Sequence, residues 1–142
     1  MMKDVIIVTD GACIPNPGAG GWAAILKYGG ARKIIQGGEK DTTNNRMELT
    51  AVIKGLASLK EPCNVTVISD SRYVTDAYNQ DWISRWRSNI LQRVNADLWI
   101  ELDSLVTSKG HNVTFKWVRG HSGHPDNELV DKVANAEIKN WR

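Results

Sequence analysis

Four carboxylates in this chain stand where a simple fold would not choose them. Asp10 follows the apolar run Val5-Ile6-Ile7-Val8, and Asp70 follows Val65 to Ser69; both runs read as buried strands. In an open α/β sheet, ligands bind beyond the C-terminal ends of strands, so neighbouring strands would bring these two acids together. On a helix over 44–59, Glu48 falls in line with Val52, Leu56 and Leu59, along the apolar stripe and not on the wet face. Asp131 behaves similarly, beside Val130 and followed by Ala134 and Ile138 at helical spacing. Converging carboxylates repel one another and raise each other's pKa, and an unpaired buried charge is costly. A hard divalent cation with oxygen ligands is the natural partner, and two such ions match the charge better. Taken singly, each acid has an ordinary explanation. Asp10 and Asp70 could serve turns, Glu48 a capping box, and Asp131 a helix surface.

The elements that must position these acids follow from periodicity and turn chemistry. The segments 21–28 and 31–36, joined by Gly29-Gly30, predict a hairpin. Asn44 to Leu59 predicts a helix capped by Thr43 or Asn44. Short helices are expected over 72–78 and 80–87, a longer one over 96–107, and a strand over 113–118. A closing helix over 126–141 is entered through His124-Pro125, with Asp126 as its cap. Gly18-x-Gly20-x-x-Ala23 satisfies the letter of a dinucleotide fingerprint. However, Gly29-Gly30 interrupts the helix such a site needs, Pro15 and Pro17 do not fit its tight turn, and no Gly-Lys-Ser/Thr is present. The glycines are read as serving a turn and a close-packed strand. A hairpin-rich start followed by strand–helix alternation predicts an α/β fold, a mixed sheet with helices on its faces. The 5–9 and 65–69 strands should pair in parallel, because a helix joins them.

The 142 residues suit a single domain, 1–142, with one real core. A formal charge of +2 neither announces nor excludes a nucleic-acid binder. Two cysteines are too few for a disulfide framework and suit reduced thiols in a cytoplasmic protein. The apolar run at the N-terminus is too short for a signal peptide or a membrane span, so no membrane association is expected.

The order of motifs resembles the type 1 ribonuclease H family. Thr9-Asp10-Gly11 with Asn16-Pro17-Gly18 is similar to that family's opening, and Thr43-Asn44-Asn45-Arg46-Met47-Glu48 to its glutamate-bearing helix. Ser69-Asp70-Ser71 with Tyr73-Val74 and the run from Gly120-His121 through His124-Pro125 to Asp131 match its later motifs. The resemblance covers nearly the whole chain. It implies a ribonuclease H-like three-layer fold with a five-stranded mixed sheet, its first three strands antiparallel, and helices on both faces. It implies a bacterial-type endonuclease that hydrolyses the RNA strand of RNA–DNA hybrids, leaving 5′-phosphate and 3′-hydroxyl ends. The cofactor implied is Mg²⁺, with Mn²⁺ as a possible substitute and two ions per site with substrate. Asp10, Glu48, Asp70 and Asp131 are then the metal-binding catalytic acids, and Glu48 stands near the scissile phosphate and the 2′-hydroxyl. His121 is the loop histidine that aids proton transfer or product release. His124, before Pro125, is expected to hold the loop against the helix.

The same resemblance makes Cys13, Asn16, Asn44 and Asn45 candidates for the RNA strand, some through backbone groups. Thr43 and Arg46 are phosphate candidates. Trp82 and Trp86, with Arg85 and Arg87, correspond to the DNA-strand channel and basic handle. Two departures stand out. Position 72, usually Gln in bacterial relatives, is Arg72, an extra cation at the groove. The lysine-rich protrusion is replaced by a short connection carrying only Arg87 and Arg93, which implies weaker and more salt-sensitive hybrid binding. A monomer with no obligate protein partner is expected. The alternatives are a non-catalytic hybrid-binding module and a junction resolvase or recombinase on the same fold.

Overall fold

The computed structural model describes residues 2–142. Its strands are β1 (Lys3–Cys13), β2 (Gly18–Tyr28), β3 (Ala31–Thr42), β4 (Cys63–Ser69) and β5 (Asn112–Trp117). Its helices are α1 (Asn44–Ala57), α2 (Arg72–Asn79), α3 (Trp82–Trp86), α4 (Ala96–Thr107) and α5 (Pro125–Glu137), with 3₁₀ segments over Arg87–Gln92 and Ile138–Trp141. The sheet order is β3-β2-β1-β4-β5. β1 pairs antiparallel with β2, and β2 with β3, whereas β1–β4 and β4–β5 are parallel. The mixed five-stranded sheet and the parallel β1–β4 pair are as expected from the sequence.

Alternation along β1 divides the core in two. Val5 and Ile7 join Leu49, Val52, Leu56, Val67, Trp99 and Leu102 on the face covered by α1 and α4. Val8 and Ala12 join Val130, Ala134 and Ile138 on the face covered by α5. β1 is buried on both faces only from Ile7 onward; ahead of it Val5 is buried and Ile6 is exposed.

Two local expectations are corrected. Asp10 does not end its strand, because β1 continues to Cys13 against β2, with Asp10 opposite Ala23. The parallel pairing with β4 nevertheless stops at Val8–Ile68, so the edge facing β4 is open at Asp10. Asp126 is not the cap of α5; His124 holds that position and Pro125 begins the helix. Asp126 instead accepts ion pairs from Lys27 and Arg32, each at 2.8 Å, which tie α5 to the β2–β3 hairpin. Gly18 and Gly20 lie within β2 and form no phosphate loop. No described helix is long and apolar enough to cross a membrane.

Candidate active site

Three elements bring the acids together. Gly11 lies so close to α1 that a Cβ there would overlap the backbone of Met47 and Glu48. This contact sets α1 onto β1 and lets the Gly11 amide donate to Glu48 Oε1 while also donating to Asp10 Oδ1 at 2.9 Å. Asp70 follows β4 directly. As a result, Asp10, Glu48 and Asp70 each offer a carboxylate oxygen within 4.8 Å of the others. Asp131, on α5, lines the same cleft as the other three acids and is itself steadied by Asn135 Nδ2 at 3.2 Å.

The electrostatics reflect this crowding. Burial, then the Asp70 charge, pushes the Asp10 carboxyl from 3.8 up to about 8. Burial, then Asp10 and Asp70, holds Glu48 well above the usual carboxylate range. Burial and the Asp131 charge raise Asp70 as well. Among the described residues, none of the four acids is paired with Lys or Arg. A set of unpaired, converging carboxylate oxygens fits a hard divalent cation such as Mg²⁺ or Mn²⁺.

The acids open onto a cleft of about 680 Å³, also lined by Cys13, Asn44, Asn45, Tyr73 and His121. His121 is exposed and holds a left-handed backbone conformation, φ 55°. The His124 side chain is exposed and makes no capping bond. Its contribution to α5 is its backbone carbonyl, which accepts from the Glu128 amide at 3.0 Å.

The family profile for RNase H matches residues 2–139. The chain belongs to the ribonuclease H family. It is 51% identical to the ribonuclease H of Caldicellulosiruptor saccharolyticus, the match covering 99% of this chain and all of that one. It is 52% identical to that of Francisella philomiragia, over 96% of this chain and 91% of the relative. In three dimensions it is similar to LC9-RNase H1, a type 1 RNase H with the type 2 active-site motif, at 28% identity and a TM-score of 0.87; the match covers all of this chain and 75% of that one. LC11-RNase H1, solved in complex with an RNA/DNA hybrid, shares the fold at 19% identity and a TM-score of 0.78, over 96% of this chain and 97% of that one. Metal-dependent cleavage by an endoribonuclease is the general activity of the ribonuclease H family.

Around the cleft of this ribonuclease H chain, several residues suggested by sequence are already engaged. The Cys13 thiol is buried, with the Pro15, Gly18 and Thr42 carbonyls at 3.3, 3.4 and 3.5 Å as alternative acceptors for its one S–H, which leaves only its backbone for a ligand. Asn16 Oδ1 accepts from the Asn44 amide at 3.1 Å. Thr43 caps α1, accepting from the Arg46 amide at 3.2 Å, and borders a second cavity of about 410 Å³ with Arg46. Arg46 is itself gripped two-fold by Asp97, at 2.7 and 2.9 Å.

A third cavity of about 470 Å³ lies between Asn45, Tyr73, Trp86 and Arg93. Arg93 stacks on Trp86 with its Cζ 4.0 Å from the ring centroid, and Trp86 packs edge-on against the buried Trp99 at 5.2 Å. Trp82 stands 6.2 Å from Trp86. Arg72 is exposed and lies outside the acidic cleft. Two participants escaped the sequence. Asn95, left-handed at φ 62°, accepts from Arg46 Nη1 at 3.3 Å and donates to Tyr73 Oη at 3.0 Å. Its signal was an asparagine before a helix, a type that tolerates that conformation. Asn135 carried no signal beyond its helical spacing from Asp131.

Proposed function

We propose that this protein is a single-domain, monomeric, cytoplasmic ribonuclease H that hydrolyses the RNA strand of RNA–DNA hybrids with Mg²⁺, leaving 5′-phosphate and 3′-hydroxyl ends. The observation that carries this is the triad Asp10, Glu48 and Asp70, whose oxygens converge within 4.8 Å without a cation to pair them, in a chain of this family. Asp10, Glu48, Asp70 and Asp131 would hold two ions, with Mn²⁺ as a substitute. Bound divalent ions supply positive charge that makes an attacking water more acidic and offsets charge on the leaving 3′-oxygen.

The remaining work falls to the chain itself. Its carboxylates exclude competing anions until a cation is present, and the rigid seat of Glu48 on Gly11 fixes where the reacting phosphate can sit. His121, exposed and lining the cleft, would take or give a proton as the product leaves. Asn44, Asn45 and the backbone at Cys13 would read 2′-hydroxyls, the group that distinguishes RNA from DNA. Asn16 would act indirectly, by ordering the Asn44 amide. Thr43 and Arg46 would receive a phosphate of the DNA strand in the cavity they border, with Trp82, Trp86 and Arg93 forming the flat track beyond it. Arg72, over the Trp117 ring outside the acidic cleft, would add positive charge for a passing phosphate.

The test is an end-labelled cleavage assay on RNA–DNA hybrid, duplex RNA and duplex DNA, with Mg²⁺ and with chelator, beside Asp10→Asn. Metal-dependent cutting of the hybrid's RNA strand alone, lost in the variant, is the expected result. Full activity of Asp10→Asn would refute the role given to that acid.

A further inference from the structure

Asp70 lies one residue beyond the last β4–β5 pair, Ser69–Trp117, so the ladder does not hold it. Its backbone is nevertheless fastened. The Trp117 indole Nε1–H donates to the Asp70 carbonyl at 2.9 Å, while the Val118 amide donates to the Ser69 carbonyl at 3.0 Å. Sheet and side chain thus secure consecutive carbonyls. The Arg72 guanidinium lies over the same indole, its Cζ 4.0 Å from the ring centroid. On the far side of the carboxyl, a Cβ on Gly120 would stand 2.7 Å from Asp70 Oδ2, so the segment leading to His121 rests directly against the carboxylate.

Taking Asp70 as a metal-binding acid, as above, we propose that Trp117 is its positioning residue: the indole N–H fixes the Asp70 carbonyl, and Arg72, stacked on the ring, holds the indole in that orientation. Ser71 stands at the N-cap of α2 without a side-chain capping bond; its amide donates to Ser69 Oγ at 3.0 Å, and its carbonyl accepts from the Val74 and Thr75 amides at 3.3 and 3.1 Å. If the 70–71 peptide rotated, the carboxylate would swing away from Asp10 and Glu48, because its direction follows the backbone it hangs from. Partners one step removed from a metal ligand commonly set its orientation. A cation over an indole face is attracted by the ring quadrupole, and a neutral glutamine at position 72 would forgo that attraction.

Trp117→Phe keeps a ring beneath Arg72 and deletes only the donor; Arg72→Gln keeps the donor and removes the stacked cation. Both would be compared with wild type and Asp70→Asn by calorimetric titration of Mn²⁺ without substrate, by kcat and KM on hybrid, and by thermal melting. The expected result for Trp117→Phe is Mn²⁺ binding weakened about tenfold with kcat lowered and KM little changed. Arg72→Gln should shift the same quantities in the same direction by less, and Arg72→Lys should recover part of the loss. If Trp117→Phe folds and binds Mn²⁺ as wild type does, the proposal is overturned. If Trp117→Phe fails to fold, unchanged Mn²⁺ affinity in Arg72→Gln overturns it equally. Mn²⁺ binding that is identical in wild type and Asp70→Asn would instead remove the reading of the site on which it stands.

Discussion

Arg87 and Asp103 form a two-point ion pair, Nε to Oδ2 at 3.0 Å and Nη2 to Oδ1 at 3.0 Å, and Tyr78 donates to the same carboxylate at 3.2 Å. The sequence suggested Arg87 as part of a basic handle, but its guanidinium is occupied in joining the 87–92 segment to α4. We therefore expect Arg87→Gln to lower stability by about 1 kcal/mol, the upper range for a partly exposed pair. Hybrid affinity should stay within about twofold of wild type, whereas a loss of tenfold or more in a filter-binding titration would return Arg87 to the substrate track.

Arg93 behaves oppositely. It stacks on Trp86 without an acidic partner among the described residues, between the exposed Leu91 and Val94. Its replacement by Gln should weaken hybrid binding and reduce the slope of log affinity against log salt by about 0.9, one phosphate contact. The same arithmetic revises the expectation of greater salt sensitivity. A handle with fewer free cations releases fewer counterions, so binding is weaker but its salt dependence is shallower. Titrations between low and moderate salt, beside a lysine-rich relative, measure this directly.

The raised pKa of Asp10 sets the sign of a pH effect in the metal-free protein. With the folded value near 8 and the model-peptide value of 3.8, the folded state holds a proton that the unfolded chain has released between those limits. Stability in chelator should therefore fall as pH rises from about 4 to about 8. Asp10→Asn removes this charge and should stabilise the metal-free protein at pH 8 on the order of 2 kcal/mol, with little gain at pH 4. Urea midpoints for the two proteins converging at high pH, not at low pH, would show the sign to be wrong.

Gly11 carries a steric prediction. Its missing side chain allows α1 to lie against β1, and its amide fixes Glu48. Gly11→Ala should cost on the order of 3 kcal/mol, by overpacking against backbone that cannot yield. Activity should fall further than stability does, since the displaced element carries Glu48. Wild-type kcat in a variant that melts lower would mean that α1 shifts without disturbing the acid.

Much of this was legible in the chain. The runs 5–8 and 65–68 announced central strands because every residue in them is β-branched, and Glu48 was conspicuous because its helical neighbours Val52 and Leu56 are core residues. The continuation of β1 past Asp10 was not legible, because the two edges of one strand end at different residues and the sequence carries a single pattern for both. Asp126 was misread as a cap because its partners, Lys27 and Arg32, lie about a hundred residues away, where no local rule reaches. The pinned carbonyl of Asp70 was hidden for the same reason, since only the parallel β4–β5 pair brings Trp117 beside it.

The placement of β1 at the centre of the sheet gives the molecule two unequal kinds of durability. The triad draws on β1, α1 and the end of β4, while β3 lies at the outer edge and contributes none of the acids. Opening of that edge, or of the 138–141 turn packed on it, would leave the carboxylates in register, whereas parting β1 from β4 would scatter them at once. Loss of catalysis on gentle denaturation would thus time the rupture of one interior seam, and amide exchange along β3 should run ahead of it.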